Sequence, residues 1–284
     1  MAGLIERTER LVPKAATAHA ETEPQHLAGR DGYDALLTVI VPVYNEAATV
    51  DELLRRVVDV PLEIQVIVVD DGSSDGTTAI LERWEGHPLV ELLAHTRNRG
   101  KGAAVRTALE HARGRYAIVQ DADLEYDPRD YLRLLEPLLA GEADVVYGSR
   151  YLNERSRIRE NSGRGRGTLT SSATGLAPTP PWTTFRVGVC ALNVATRWLY
   201  GTRLSDEATC YKLFRTETLR AMRLECERFE FCPEVTAKAC CMGLRISEVP
   251  VGYHPRGAAQ GKKIRLRDGI EALKTLWRWR KWTG

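Results

Sequence analysis

Between Gln120 and Glu125 the chain reads Gln-Asp-Ala-Asp-Leu-Glu, directly after the apolar run Arg115-Tyr116-Ala117-Ile118-Val119. Alternate side chains share one face while a chain stays extended. Asp121, Asp123 and Glu125 would then present three carboxylates to one side of a strand end. Hard oxygen ligands of this kind suit Mg2+ or Mn2+ and leave coordination positions open for a diphosphate. The same acids could equally cap the next helix or face water, because a bare Asp-x-Asp recurs by chance. The remaining polar clusters decide the matter.

Pro42-Val43-Tyr44-Asn45-Glu46 closes an apolar strand and opens a helix, and exposed N–H groups at a helix start suit a nucleotide. Asn45 or Glu46 could instead be a simple cap. Asp70-Asp71-Gly72-Ser73-Ser74-Asp75-Gly76-Thr77 closes a second strand; a turn explains its glycines, while one of the paired acids could accept hydrogen bonds from a base or ribose. Asn98-Arg99-Gly100-Lys101-Gly102 places a glycine-flanked lysine before a helix, where Lys101 can approach phosphates. Asp206 and Glu207 are the obvious candidates for a general base.

These clusters need a frame to hold them. Strands are expected at 36–41, 64–69, 90–94, 115–119 and 144–147, separated by helices at 50–60, 77–84, 103–112 and 128–139. Strands apolar throughout and alternating with helices imply an α/β fold with a parallel sheet covered on both faces. Ligands bind such sheets beyond the carboxyl ends of the strands, where every cluster named above for this half falls. Residues 1–34 read as a disordered extension and 153–184 as a flexible loop rich in Arg, Gly, Ser, Thr and Pro. A helix at 187–200, a strand at 209–214, a helix at 233–241 and a strand at 245–251 follow.

With 43% hydrophobic residues, 27% charged residues and a net charge of +2, the 284-residue chain reads as a soluble globular protein with no case for nucleic-acid binding. Its six cysteines form no Cys-x-x-Cys and read as reduced thiols. No secretory signal and no membrane span is visible. The expected location is the cytosolic face of a membrane, because the C-terminus is basic. Leu266, Ile270, Leu273 and Trp277 fall at helical spacing amid Arg265, Arg267, Lys274, Arg278 and Lys281, with Trp279 and Trp282 as aromatic anchors. A basic, Trp-bearing amphipathic helix over 262–284 suits a membrane surface, although such a stripe could also pack on the domain.

In order, the clusters resemble glycosyltransferase family 2 with the GT-A nucleotide-diphospho-sugar transferase fold. The likeness continues through Gly148-Ser149-Arg150, Ser205-Asp206-Glu207-Ala208-Thr209-Cys210-Tyr211-Lys212, Phe229-Glu230-Phe231, Glu248-Val249-Pro250-Val251 and Gly261-Lys262-Lys263. That pattern, covering roughly Leu36 to Trp279, is similar to the dolichol-phosphate mannosyltransferase-like branch, with the glycosyltransferase domain itself expected at 35–261. The resemblance implies that Pro42, Tyr44 and Glu46 line the nucleotide, with Asp71 near the base. Asp121, Ala122 and Asp123 would hold the metal and donor diphosphate, with Glu125 where the branch often has a Gln ligand. Arg150, Arg186, Lys212, Arg256 and Lys263 would meet phosphates on the acceptor side. The family's Ser-Gly-Phe-Arg is here Thr209-Cys210-Tyr211-Lys212, which keeps the charge but loses the planar fork.

The expected reaction is metal-dependent, inverting transfer of mannose or glucose from GDP-mannose or UDP-glucose to a polyprenyl phosphate, with a possible membrane-anchoring subunit. A hydroxyl acceptor on a growing glycan would instead require Asp206 or Glu207 as base. If the acceptor is a phosphate, these two acids could instead orient Arg or Lys side chains. A non-catalytic scaffold has no need of the acidic triplet, and no Gly-x-Gly-x-x-Gly follows the first strand to mark a dehydrogenase.

Overall fold

β1 (Ala35–Val43) is buried along almost its whole length, which sets it inside a sheet with cover on both faces. The computed structural model describes residues 34–152, 184–256 and 266–284. The expected N-terminal extension, almost all of the 153–184 loop, and Lys263 with its Gly-Lys neighbours lie outside the described residues. β1 is followed by α1 (Val50–Val58), β2 (Ile64–Asp70), α2 (Thr77–Leu81), β3 (Val90–Ala94), α3 (Lys101–His111) and β4 (Gly114–Val119). Then come α4 (Tyr131–Leu139), β5 (Val145–Ser149), α5 (Thr184–Tyr200), β6 (Lys212–Arg215), α6 (Thr216–Ala221), α7 (Phe231–Cys241), β7 (Ile246–Pro250) and α8 (Leu266–Trp279).

The strands form one sheet in the order β3-β2-β1-β4-β6-β5-β7. β6 is antiparallel to both β4 and β5, and every other pairing is parallel. The fold is therefore the expected mostly parallel α/β sheet with one reversed strand. β6 begins three residues later than the apolar pattern indicates, because 206–209 form a loop held by side chains. α6 carries no signal strong enough to separate it from its neighbours.

Pro42 sits in a central strand without cost. Ile40 O accepts from Gln120 N at 2.8 Å and Val43 O from Asp71 N at 2.8 Å, so over 40–43 even positions of β1 face β4 and odd positions face β2. β4 pairs with β1 only as far as Ile40–Val119, so the N–H that Pro42 lacks would have met no strand partner. That divergence of β4 from β1 opens the cleft in which the polar clusters gather.

α8 does not stand apart. Ala272 and Leu276 are buried in a small cluster with Leu192 of α5 and Ala237 of α7, and the Tyr200 hydroxyl donates to Leu276 O at 2.5 Å. The expected stripe of Ile270, Leu273 and Trp277 lies on the other side and is exposed. Trp279 and Trp282, expected as membrane anchors, turn inward: the Lys238 ammonium sits 3.9 Å and 5.4 Å from their ring centres. Lys238 also donates to Glu234 at 2.5 Å in a buried pair. Among the described residues no helix is long and apolar enough to cross a membrane.

Candidate active site

The loops after β1 and β2 are stitched by side chains. Asn45 N donates to Ser73 Oγ at 3.0 Å and Asn45 Oδ1 accepts from Ser74 N at 2.8 Å. Glu46 N donates to Thr77 Oγ1 at 2.9 Å. Asn45 has a φ of 51°, in the left-handed region that asparagine enters more readily than most residues.

Both acids that end β2 serve the backbone. Asp70 closes its turn by accepting from Ser73 N at 2.9 Å and Thr78 Oγ1 at 2.6 Å. Asp71, expected near a nucleotide base, is only 2% exposed. Its carboxylate accepts from Arg99 N at 2.9 Å and Gly100 N at 2.7 Å and meets His95 Nδ1 at 2.6 Å. Asp71 thus shapes the loop that delivers Lys101 and does not face the cleft. Gly100 has φ of 98°, and a Cβ there would lie 2.4 Å from Glu227 O, so the loop requires glycine.

The acidic stretch does not stay extended. It turns at 122–125, with Leu124 at φ 59°, and the three-carboxylate face is not formed. Asp121 takes Lys101 Nζ at 2.5 Å. Asp123 takes Arg256 Nη2 at 3.0 Å, and its Oδ1 accepts from Glu125 N at 3.1 Å. Glu125, expected as a third metal ligand, turns away to accept from Tyr253 OH at 2.8 Å and Arg256 N at 2.9 Å. Arg256 also reaches Glu46 at 2.9 and 3.2 Å, so one guanidinium bridges the β1 loop and the acidic turn. Glu46, Thr49, Asp75, Asp123 and Arg256 are among the residues walling a cleft of about 530 Å3. The Thr49 hydroxyl donates to Ala122 O at 2.6 Å and so fixes the turn. Tyr44, at the end of β1, is 36% exposed.

Burial, then the Asp121 and Glu125 carboxylates, push the Asp123 acid up to about 7, while Arg256 pulls it down. Negative charge is therefore under-compensated at Asp123, and its oxygen donors fit a hard divalent cation. Among the described residues no three His, Cys, Asp or Glu side chains converge on one point. The chain would contribute Asp121 and Asp123, leaving other coordination positions for oxygens from outside.

Just past β5, Arg150 donates Nε and Nη2 to Asp206 at 2.6 Å each, and its N–H to the same carboxylate at 3.1 Å. The side chains are 4% and 0% exposed. Arg150 also lies 5.1 Å from the Tyr253 ring centre, which links this pair to Glu125. Glu248 holds the loop by accepting from Ser205 N and Asp206 N at 2.9 and 3.1 Å. Lys212, expected to meet an acceptor phosphate, is 1% exposed and donates to Glu207 O and Thr209 O. It braces the loop and does not reach the cleft. Glu207 is fully buried, and burial pushes its acid up against the pull of Lys212. Arg186 rests 5.3 Å from the Tyr151 ring centre, beside Arg150. Thr49 and Tyr253 are site residues that motif spacing does not reveal, because each works through one hydroxyl set by tertiary contact.

A parallel sheet with one reversed strand, a nucleotide-sized cleft at its carboxyl end and an Asp-x-Asp turn at that cleft define a glycosyltransferase of the GT-A type. The chain belongs to glycosyltransferase family 2, whose family model matches residues 38–195. It is 29% identical over 252 residues to glycosyltransferase AglD of Haloferax volcanii, covering 85% of this chain but only 37% of that protein. It is 31% identical over 259 residues to undecaprenyl-phosphate mannosyltransferase of Micrococcus luteus, covering 86% of this chain and 95% of that one. Glucosyl-3-phosphoglycerate synthase from Mycobacterium tuberculosis, crystallised with UDP, superposes with a TM-score of 0.62 at 19% identity over 88% of this chain and 82% of that one.

Proposed function

We propose that the protein transfers a hexose, mannose or glucose, from a GDP or UDP sugar to the phosphate of a polyprenyl phosphate. One observation carries the choice of acceptor. Both carboxylates expected as bases are spent: Asp206 is locked bidentately on Arg150, and Glu207 is sealed from solvent. A hydroxyl acceptor needs a base to take its proton. A phosphate oxygen is already anionic and needs only positive charge to position it. The M. luteus relative, named for transfer to undecaprenyl phosphate, supports the same reading.

In this reaction a phosphate oxygen attacks the anomeric carbon in line, the bond to the donor diphosphate breaks, and the nucleoside diphosphate leaves with the electron pair. No proton has to move, and the anomeric centre inverts. The cleft wall from Glu46 to Arg256 would receive the nucleotide diphosphate. Mg2+ or Mn2+ at Asp121 and Asp123 would supply charge stabilisation for the departing diphosphate. Lys101 and Arg256 add positive charge on that side, and Arg150 and Arg186 on the acceptor side.

Radiolabel from GDP-mannose or UDP-glucose is expected in the organic phase when the protein is incubated with a short polyprenyl phosphate and Mn2+ or Mg2+, and EDTA should remove it. Nucleotide release with a glycan acceptor and no labelled lipid would refute the acceptor. Glu207→Gln provides an independent check, with turnover expected to stay within about threefold of wild type because no base is needed. A loss of roughly a hundredfold or more, within the usual range for removing a general base, would favour a hydroxyl acceptor.

A further inference from the structure

α5 and α8 are each two-faced. Along α5, Val189, Leu192 and Thr196 are buried, while Val187, Val194 and Trp198 point outward at helical spacing. Along α8, Ala272, Thr275 and Leu276 face the domain, while Ile270, Leu273 and Trp277 face out. The two outer faces join, because Trp198 and Trp277 stack with ring centres 6.2 Å apart at 12°. Trp198 is 76% exposed, Val194 67% and Trp277 50%. A contiguous apolar patch with two stacked, exposed tryptophans is rare on a protein surface that meets only water.

Charge says what covers it. α5 carries Arg186 and Arg197 and no acidic residue, while α8 and the chain end carry five basic residues against Asp268 and Glu271. At about 100° per residue, Arg267, Lys274 and Arg278 run along one flank of the outer stripe of α8. Arg280 lies 3.9 Å from the Trp277 ring centre. The ion pairs of Lys274 with Glu271 and Arg278 with Glu225 are solvent-exposed and exchange readily for lipid phosphates. Tryptophan and basic side chains around an aliphatic stripe match the headgroup zone of an anionic bilayer.

We propose that the joined outer faces of α5 and α8 form one docking surface for an anionic phospholipid bilayer, with Trp198 and Trp277 as its anchor. From Arg186, beside Tyr151 and Arg150, α5 runs for roughly 18 Å to Trp198. Seating both helices at the headgroup level therefore brings the Arg150 end of the cleft to the lipid. The inference adds a partner to the reading above. Its test omits donor and acceptor, so either can fail alone.

The full chain is floated with vesicles of phosphatidylcholine, and with vesicles containing about one-third phosphatidylglycerol, an anionic headgroup that basic surfaces favour. Wild type is expected to float with the anionic vesicles and to show a blue shift of tryptophan emission. Trp198→Ser with Trp277→Ser should lower binding on the order of tenfold or more. Lys274→Glu with Arg278→Glu should lower it on anionic vesicles specifically, and carries the test if the tryptophan variant does not fold. Wild type that floats with neither vesicle, or tryptophan variants that bind as wild type, would overturn the proposal. So would a wild-type dimer that the tryptophan variant splits without any vesicle binding, which would assign the face to a second copy.

Discussion

Asp123→Asn is expected to lower sugar transfer by at least a thousandfold while raising the melting temperature of the ligand-free protein at pH 8. The two effects have one cause. Asp123 is largely buried and then crowded by Asp121 and Glu125, which pushes its acid up to about 7 from the ordinary 3.8. A folded-state value above the unfolded one means the stability is fully present below about 4 and is lost as pH rises through 7. Asparagine carries no charge, so the variant escapes that loss. The melting-temperature gain should vanish below pH 4 and grow between pH 5 and 8. Function moves the other way, because the carboxylate is the group that a cation and diphosphate would meet. Scanning calorimetry against pH, beside the transfer assay, checks both arms; a variant that is less stable than wild type at pH 8 would refute the account of the acidic turn.

Asp206→Ala is expected to cost about 3–5 kcal/mol of stability, because it removes the carboxylate that the buried Arg150 guanidinium grips with two nitrogens. In a domain of this size that is a fall in melting temperature on the order of 10 °C. Activity should fall with it, yet for a reason unlike the loss of a base. The double change Arg150→Met with Asp206→Leu separates the two, since replacing both charges by apolar groups restores most of the stability. Transfer should remain absent in the double variant, because Arg150 is gone. Recovery of transfer there would show that the pair is purely structural.

Much of this architecture was readable in the sequence. β2 is apolar from Ile64 to Val69, and its register against β1 runs residue for residue. Hydrophobic runs report burial, and burial fixes strands in a parallel sheet. The positions of Glu46 and Asp123 on one cleft also follow from strand order, since each stands just beyond a strand end. What sequence spacing could not convey is the direction of each side chain. Asp71 and Lys212 look like ligands by type, but both satisfy backbone groups, Asp71 those of Arg99 and Gly100 and Lys212 those of Glu207 and Thr209. Glu125 was expected on the same face as Asp121, and a single left-handed residue, Leu124, sends it to Tyr253. The outer stripe of α8 was visible as a period, whereas Trp198 on α5 acquires meaning only beside Trp277.

The reversal of β6 has a consequence for how the chain reaches this state. Ile118 of β4 pairs with Leu213, ninety-five residues further on. During synthesis, β1 to β4 can assemble in order from near neighbours, but the outer edge of β4 then waits, and β5 with it, for a strand that emerges much later. The slot between β4 and β5 is an open edge throughout that interval. Its closure delivers the loop carrying Asp206 to Arg150. The strands beneath the donor side can therefore assemble early in translation, whereas Arg256, which ties Glu46 to Asp123 across the cleft, arrives only after β6 and β7. Truncations ending before Lys212 should expose that edge and bind chaperones or self-associate, while those extending beyond Arg215 close it.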